Sequence, residues 1–389
     1  MARAARLPRA HLTARRRRAR LALAAAWPLL VAAAPAPPGG FARGFSASAG
    51  ALQAGLDDAR AVGFDTVRVF LRWDKIETRE GEPDWTCRFV AEEDLRPEAV
   101  EGGVRTPWPD VPCDGTPCGC GYSADERVAL AARDGAGPAV MLTLFGTPAW
   151  ARGAPAPGCP AGAPPYALPL RRGKEAAFRN FVAAAAARYG AMAYAFELWD
   201  EPDLAECGAW AGTREEYREE ILPAARAVKE SGAQPGIVVA PTLEHPSGDA
   251  MNAWVDWSEP IDVLSFNVYT LDLGGALARL DEMGGWCRTT RRCPGFYVTE
   301  FGARRAAPRH CPGPESPAPG ATDVAIMRRC RRSPRCAGFF LYSLSDRSQR
   351  PECDRGLFAA RGCRKRRLCT IARRFFATVP PFACRGCGA

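Results

Sequence analysis

Beyond residue 40 the chain alternates two patterns. Short apolar runs, rich in β-branched and aromatic residues, are followed by longer stretches whose apolar positions return every three or four residues. The short runs predict strands at 41–47, 65–71, 139–145, 193–199, 236–240, 261–268, 296–301 and 338–344. The longer stretches predict helices at 51–62, 123–133, 173–189, 213–230, 249–257, 273–283, 322–332 and 362–377. Ser123 stands at an N-cap position, and Thr213 begins a Thr-x-x-Glu capping box. Strict strand–helix alternation predicts a parallel sheet, and eight repeats predict its closure into a single (β/α)8 barrel. An open, doubly wound α/β sheet is the alternative; no G-x-G-x-x-G follows the first strand to support its dinucleotide-binding form. One long interruption, residues 74–122, is rich in Pro, Gly, Trp and Cys and reads as an irregular insertion.

Composition changes this picture at the N-terminus. Arg15–Arg18 form a basic run, residues 21–33 are apolar, and small residues and prolines follow. That order predicts a secretory signal over residues 1–34, with a membrane anchor or transit peptide as the alternatives, and leaves 41–389 as the barrel domain. All sixteen cysteines lie beyond it, many in Pro/Gly-rich connections: Cys113, Cys118, Cys120, Cys159, Cys287, Cys293, Cys311, Cys384 and Cys387. In an oxidising compartment these staple loops as disulfides. Structural zinc is the rival, with Cys118-x-Cys120 and Cys384-x-x-Cys387 as its materials, but two clean C-x-x-C pairs are missing and the chain has three histidines. Eight arginines and no acid fall in residues 1–34, which leaves +1 for the remainder of a chain whose formal charge is +9. That is no footprint for nucleic acid. No apolar stretch reaches the roughly 18 residues of a membrane span.

In a barrel of this kind the chemistry stands at the C-terminal ends of the strands. The second strand ends at Arg72-Trp73-Asp74, the third at Gly146-Thr-Pro-Ala-Trp150, the fourth at Trp199-Asp-Glu-Pro-Asp203. The sixth ends at Asn267-Val-Tyr269, the seventh at Thr299-Glu-Phe-Gly302 and the eighth at Ser345-Asp-Arg347. Glu201 and Glu300 therefore face one mouth from strands four and seven. Two carboxyls across a pocket are what glycoside hydrolysis requires: one protonates the leaving oxygen, and the other attacks the anomeric carbon or activates water.

The stretch Phe196-Glu-Leu-Trp-Asp-Glu-Pro-Asp203 resembles the W-N-E-P segment of the clan A glycoside hydrolases, and Tyr297-Val-Thr-Glu-Phe-Gly302 is similar to their nucleophile strand. Gly63–Trp73 with Gly81–Trp85, Leu144–Trp150, and Asp346 followed by Arg355-Gly-Leu-Phe358 agree in order, so the resemblance spans roughly residues 41 to 378. It implies Glu201 as acid/base, Glu300 as nucleophile, retention of configuration, a carbohydrate substrate, and neither cofactor nor metal. It also implies Arg68 beside the nucleophile, Tyr269 within hydrogen-bonding reach of it, and Trp73, Trp150 and Trp199 as sugar platforms. From the residues alone, Arg68 reads equally as half of a buried ion pair and the tryptophans as packing. Glu197 and Asp262 read as barrel-interior or helix-cap groups, and His245 as a pocket-lining or ordinary loop residue.

Two positions depart from the family. Asp200 stands where it has Asn; an ionised Asp only accepts hydrogen bonds, and its charge raises the Glu201 pKa. Asn267 stands where a His is common. An inert glycan-binding barrel and a transglycosylase are accordingly the alternative functions. No G-x-S-x-G, H-E-x-x-H or G-x-x-x-x-G-K-S/T occurs, which argues against serine-hydrolase, zinc-protease and nucleotide chemistry.

Overall fold

A computed structural model of the chain describes residues 40–377, apart from positions 48, 90–94, 102–103, 108–120, 134–137, 161, 270–271, 303–319 and 343–365. The leader, the cysteines Cys113, Cys118, Cys120, Cys311, Cys384 and Cys387, and the segment after the eighth strand lie outside these residues. Eight strands close into a barrel: β1 (Ala42–Ser46), β2 (Thr66–Arg72), β3 (Ala139–Phe145), β4 (Ala193–Leu198), β5 (Ile237–Leu243), β6 (Val263–Val268), β7 (Phe296–Phe301) and β8 (Cys336–Tyr342). Each pairs in parallel with its sequence neighbours, and β8 returns to β1 with Ala42 opposite Gly338. The expected (β/α)8 barrel is what the chain forms.

Alternation along the strands separates two cores. Outward residues such as Val67, Val69, Leu142, Leu144, Phe266 and Val298 belong to the large apolar shell between strands and helices. Ala42, Met141, Tyr194, Val239, Tyr297 and Phe340 form a second, smaller cluster inside the barrel. Space there is tight: a Cβ on Gly44 of β1 would lie 2.4 Å from the Phe340 ring, so only hydrogen fits. Higher in the barrel the inward residues turn polar, with Arg68, Thr143, Glu197, Thr242, Ser265, Asn267 and Thr299 all buried.

The helices follow the predicted periodicity. Ala177–Tyr189 buries Phe178, Phe181, Val182, Ala185, Ala186 and Tyr189, one stripe at helical spacing. Ser123 and Thr213 each complete a capping box. The single helix expected over 213–230 is two, Arg214–Glu220 and Ala224–Glu230, because Pro223 cannot supply the N–H that would continue the first. The helix after β6 runs on to Thr289, past the expected end at 283. The insertion is less irregular than expected: Trp73–Ile76 is a helical turn, and Leu95–Glu101 pairs with Val104–Pro107 as an antiparallel hairpin.

Every described cysteine is in a disulfide. Cys159–Cys207 joins the loops after β3 and β4 at the mouth. Cys287–Cys293 ties a helix to the turn before β7, and Cys330–Cys336 ties a helix to the first residue of β8. No described helix is long and apolar enough to cross a membrane.

Candidate active site

The polar layer inside the barrel is organised by Arg68. Its side chain is fully buried, and its guanidinium lies over the Phe70 ring at 4.4 Å. Arg68 Nε donates to Glu197 Oε2 at 2.8 Å, Nη2 to Asp200 Oδ1 at 2.6 Å, and Nη1 to Glu300 Oε1 at 2.5 Å. Burial opposes the charge, but three carboxylates outweigh it and hold Arg68 protonated. Glu197 also accepts from Thr143 Oγ1 at 2.6 Å and Thr242 Oγ1 at 2.5 Å, so it is the interior counter-ion that its place on β4 implied.

Glu300, on β7, is held from both sides. Arg68 takes Oε1, and the Tyr269 hydroxyl donates to Oε2 at 3.1 Å. Tyr342 of β8 backs Tyr269 edge-on, with ring centroids 6.4 Å apart. Burial pushes Glu300 up to about 8, helped by the Asp200 charge and opposed by Arg68 and Tyr269.

Glu201 sits just past β4 in a strained turn. Trp199 has φ 83° and Glu201 φ 45°, both in the left-handed region that bulky residues avoid. Each such residue costs about 1–3 kcal/mol and persists only when its surroundings enforce it. Here Trp199 Nε1 donates to Ala209 O at 2.8 Å, and a bridge from Asp200 to Thr242 extends the β4–β5 pairing. The kink aims Glu201 at Asn267, whose Nδ2 donates to Glu201 Oε1 at 2.5 Å. Asn267 Oδ1 accepts from Thr299 Oγ1 at 3.4 Å, which turns the amide nitrogen toward Glu201. Burial, then the charges of Asp200, Glu300 and Glu244, push Glu201 well above the ordinary carboxyl range.

The structure thus brings together Arg68, Asp200, Glu201, Asn267, Tyr269 and Glu300. It does not bring the tryptophans with them. Trp73 is fully buried, stacked on Phe181 at 5.7 Å, with Nε1 bonded to Glu77 at 2.8 Å. Trp199 is equally buried among Phe145, Phe178 and Trp210. Both are packing, and the platform expectation is corrected for them: neighbouring rings cover the faces a sugar would need. Trp150 is partly exposed, with Nε1 fixed to Glu77 O at 2.8 Å.

One mouth residue escaped sequence reasoning. Glu244 directly follows β5 and lies within hydrogen-bonding reach of Glu201. Its pKa is raised by burial, helped by Asp203 and opposed by hydrogen bonds from its surroundings. The signal was its position one residue past a strand, concealed because Pro241 made the strand read as ending at 240. His245 is exposed, 4.0 Å from Asp203. Among the described residues no group of three or more His, Cys, Asp or Glu is arranged to hold a metal ion.

A closed eight-stranded parallel barrel is also the fold of several solved glycoside hydrolases. Among solved structures, an exo-β-1,4-mannosidase from the Opitutaceae bacterium strain TAV5 superposes with a TM-score of 0.52 at 17% identity, over 87% of this chain and 59% of that one. A family 39 glycoside hydrolase from the gut symbiont Bacteroides cellulosilyticus WH2 gives 0.51 at 14% identity, over 82% and 60%. A hyperthermophilic β-glucosidase mutant gives 0.51 at 13%, over 81% and 85%. At these identities the likeness is one of fold, and the chain spans 59% of the mannosidase's length. No family model and no curated protein matches the sequence.

Proposed function

We propose that the chain is a retaining glycoside hydrolase acting on β-linked oligo- or polysaccharides, with Glu201 as acid/base and Glu300 as nucleophile. The carrying observation is that the two carboxyls are treated differently. Glu300 is gripped by a cation and a phenol, partners that favour its ionised form. Glu201 is buried beside other carboxyls, surroundings that keep it protonated. The Glu300 charge raises the Glu201 pKa, so the two carboxyls lie within electrostatic reach of one reacting centre.

In this reading Glu201 gives its proton to the glycosidic oxygen as Glu300 attacks the anomeric carbon and the C–O bond breaks. Water then loses a proton to the Glu201 carboxylate and displaces Glu300 from the sugar. Arg68 and Tyr269 hold the Glu300 oxygens in line for both steps. The described disulfides fit an oxidising compartment and support secretion of the protein.

A second reading, a glycan-binding barrel without turnover, is favoured by Asp200, which competes with Glu300 for Arg68. A panel of aryl xyloside, glucoside, mannoside, galactoside and arabinoside separates the two. Turnover by the wild type and its loss in Glu300→Gln, by at least about a thousandfold, is expected. Equal rates in both proteins would refute the assignment, and silence on the panel and on oligosaccharides would leave the binding barrel.

A further inference from the structure

We propose that Glu244 is a positioning residue that shares the acid/base proton with Glu201; the proposal rests on the reading of Glu201 given above. Asp203, two residues beyond Glu201, accepts from the backbone N–H groups of Glu244 and His245, both at 2.8 Å. This clamps the β4 and β5 loops together and sets the Glu244 carboxyl against that of Glu201. The two carboxyls are in hydrogen-bonding contact, and Asn267 Nδ2 donates to Glu201 Oε1. Glu244 Oε2 is buried and meets no donor in the described structure. Ionised carboxylates only accept, so a bond between two carboxyls requires a proton on one of them.

Among the described residues no buried cation stands in for that proton. Glu201 faces Asp200, Glu300 and Glu244; Glu244 faces Glu201, Asp203, Asn267 and the exposed His245. Arg68, the buried cation of the mouth, is engaged by Glu197, Asp200 and Glu300. Like charges in such contact cannot both ionise, so the pair holds one proton across the neutral range. When Glu201 passes it to the leaving oxygen, two carboxylates remain side by side. Their repulsion makes the pair a stronger base, and it recovers one proton from the water that attacks the sugar. One proton leaves the pair and one returns in each turnover.

The test is Glu244→Gln in the full chain, which keeps shape and removes the shared charge. In protein labelled with ¹³C at the glutamate carboxyls, with Glu201 assigned through Glu201→Gln, the Glu201 titration midpoint is expected to fall in Glu244→Gln. The alkaline limb of kcat/KM for an aryl glycoside with a poor leaving group moves down with it. Activity on that limb drops about tenfold, and the acid limb moves slightly to lower pH because the Glu244 charge also raises Glu300. An unchanged Glu201 midpoint, or a uniform loss at every pH, would overturn the proposal. If Glu244→Gln does not fold, Glu244→Asp, which withdraws the carboxyl by one methylene, carries the same comparison. A barrel that turns over no glycoside yet shows the lowered midpoint would keep the shared proton and sink the hydrolase reading alone.

Discussion

Asp200→Asn removes one charge from the mouth and leaves its shape. Asp200 and Glu300 each take one terminal nitrogen of Arg68, at 2.6 and 2.5 Å. Oxygens held on neighbouring guanidinium nitrogens lie roughly 5–6 Å apart, so at an effective dielectric near 20 two full charges repel by about 3 kcal/mol. The Arg68 charge between them, and its freedom to pair more tightly with Glu300 in the variant, affect both states. A fall of the Glu300 pKa by about 1–2 units from about 8 is expected. The sign follows from the chemistry. The nucleophile must be ionised, a carboxyl titrating at about 8 is roughly one-tenth ionised at pH 7, and one titrating at 6–7 is half ionised or more. The acid limb of kcat/KM for a substrate found in the aryl-glycoside panel therefore moves to lower pH, and the rate at pH 7 rises about five- to tenfold. Glu201 also falls, since Asp200 is the largest charge acting on it, but it starts from well above the ordinary range and remains the proton donor. The new amide adds an N–H where the carboxylate offers none, which favours a sugar hydroxyl. An acid limb that stays put or moves to higher pH would refute this account of how the mouth is charged.

Two further outcomes follow from the same contacts. Tyr269→Phe deletes a hydrogen bond that lowers the Glu300 pKa, so its acid limb should move to higher pH and the rate at pH 7 fall by about three- to tenfold; a profile identical to wild type would contradict the contact. Arg68→Met leaves Glu197, Asp200 and Glu300 without their shared buried cation, and is expected to destabilise the barrel by about 3–5 kcal/mol in urea denaturation as well as abolishing turnover. An unchanged denaturation midpoint would show that those carboxyls do not depend on it.

The eight strands were legible because strand formation in this chain is a local matter: β-branched and aromatic runs of five to seven residues sit between helices of clear period. Glu201 and Glu300 were legible because one lies just past such a run and the other is the last residue but one of another, where a barrel presents its side chains to the mouth. Glu244 occupies the same kind of position but was hidden. Pro241 lacks an N–H for the ladder, so residues 236–240 read as the whole strand. In the barrel β5 continues to Leu243 through an irregular register between Val239 and Thr242. The tryptophans were undecidable for a different reason. Whether an indole packs or binds depends on what covers its faces, and for Trp73 and Trp199 the cover comes from the helix Ala177–Tyr189, more than a hundred residues from the first of them and on the near side of the second. Local pattern and strand-end chemistry thus determined the barrel and its two central carboxyls. The protonation logic of the mouth was decided only by the tertiary structure, because it arises where Arg68 meets Glu197, Asp200 and Glu300, and Glu201 meets Asn267 and Glu244, from five different strands at contact distance.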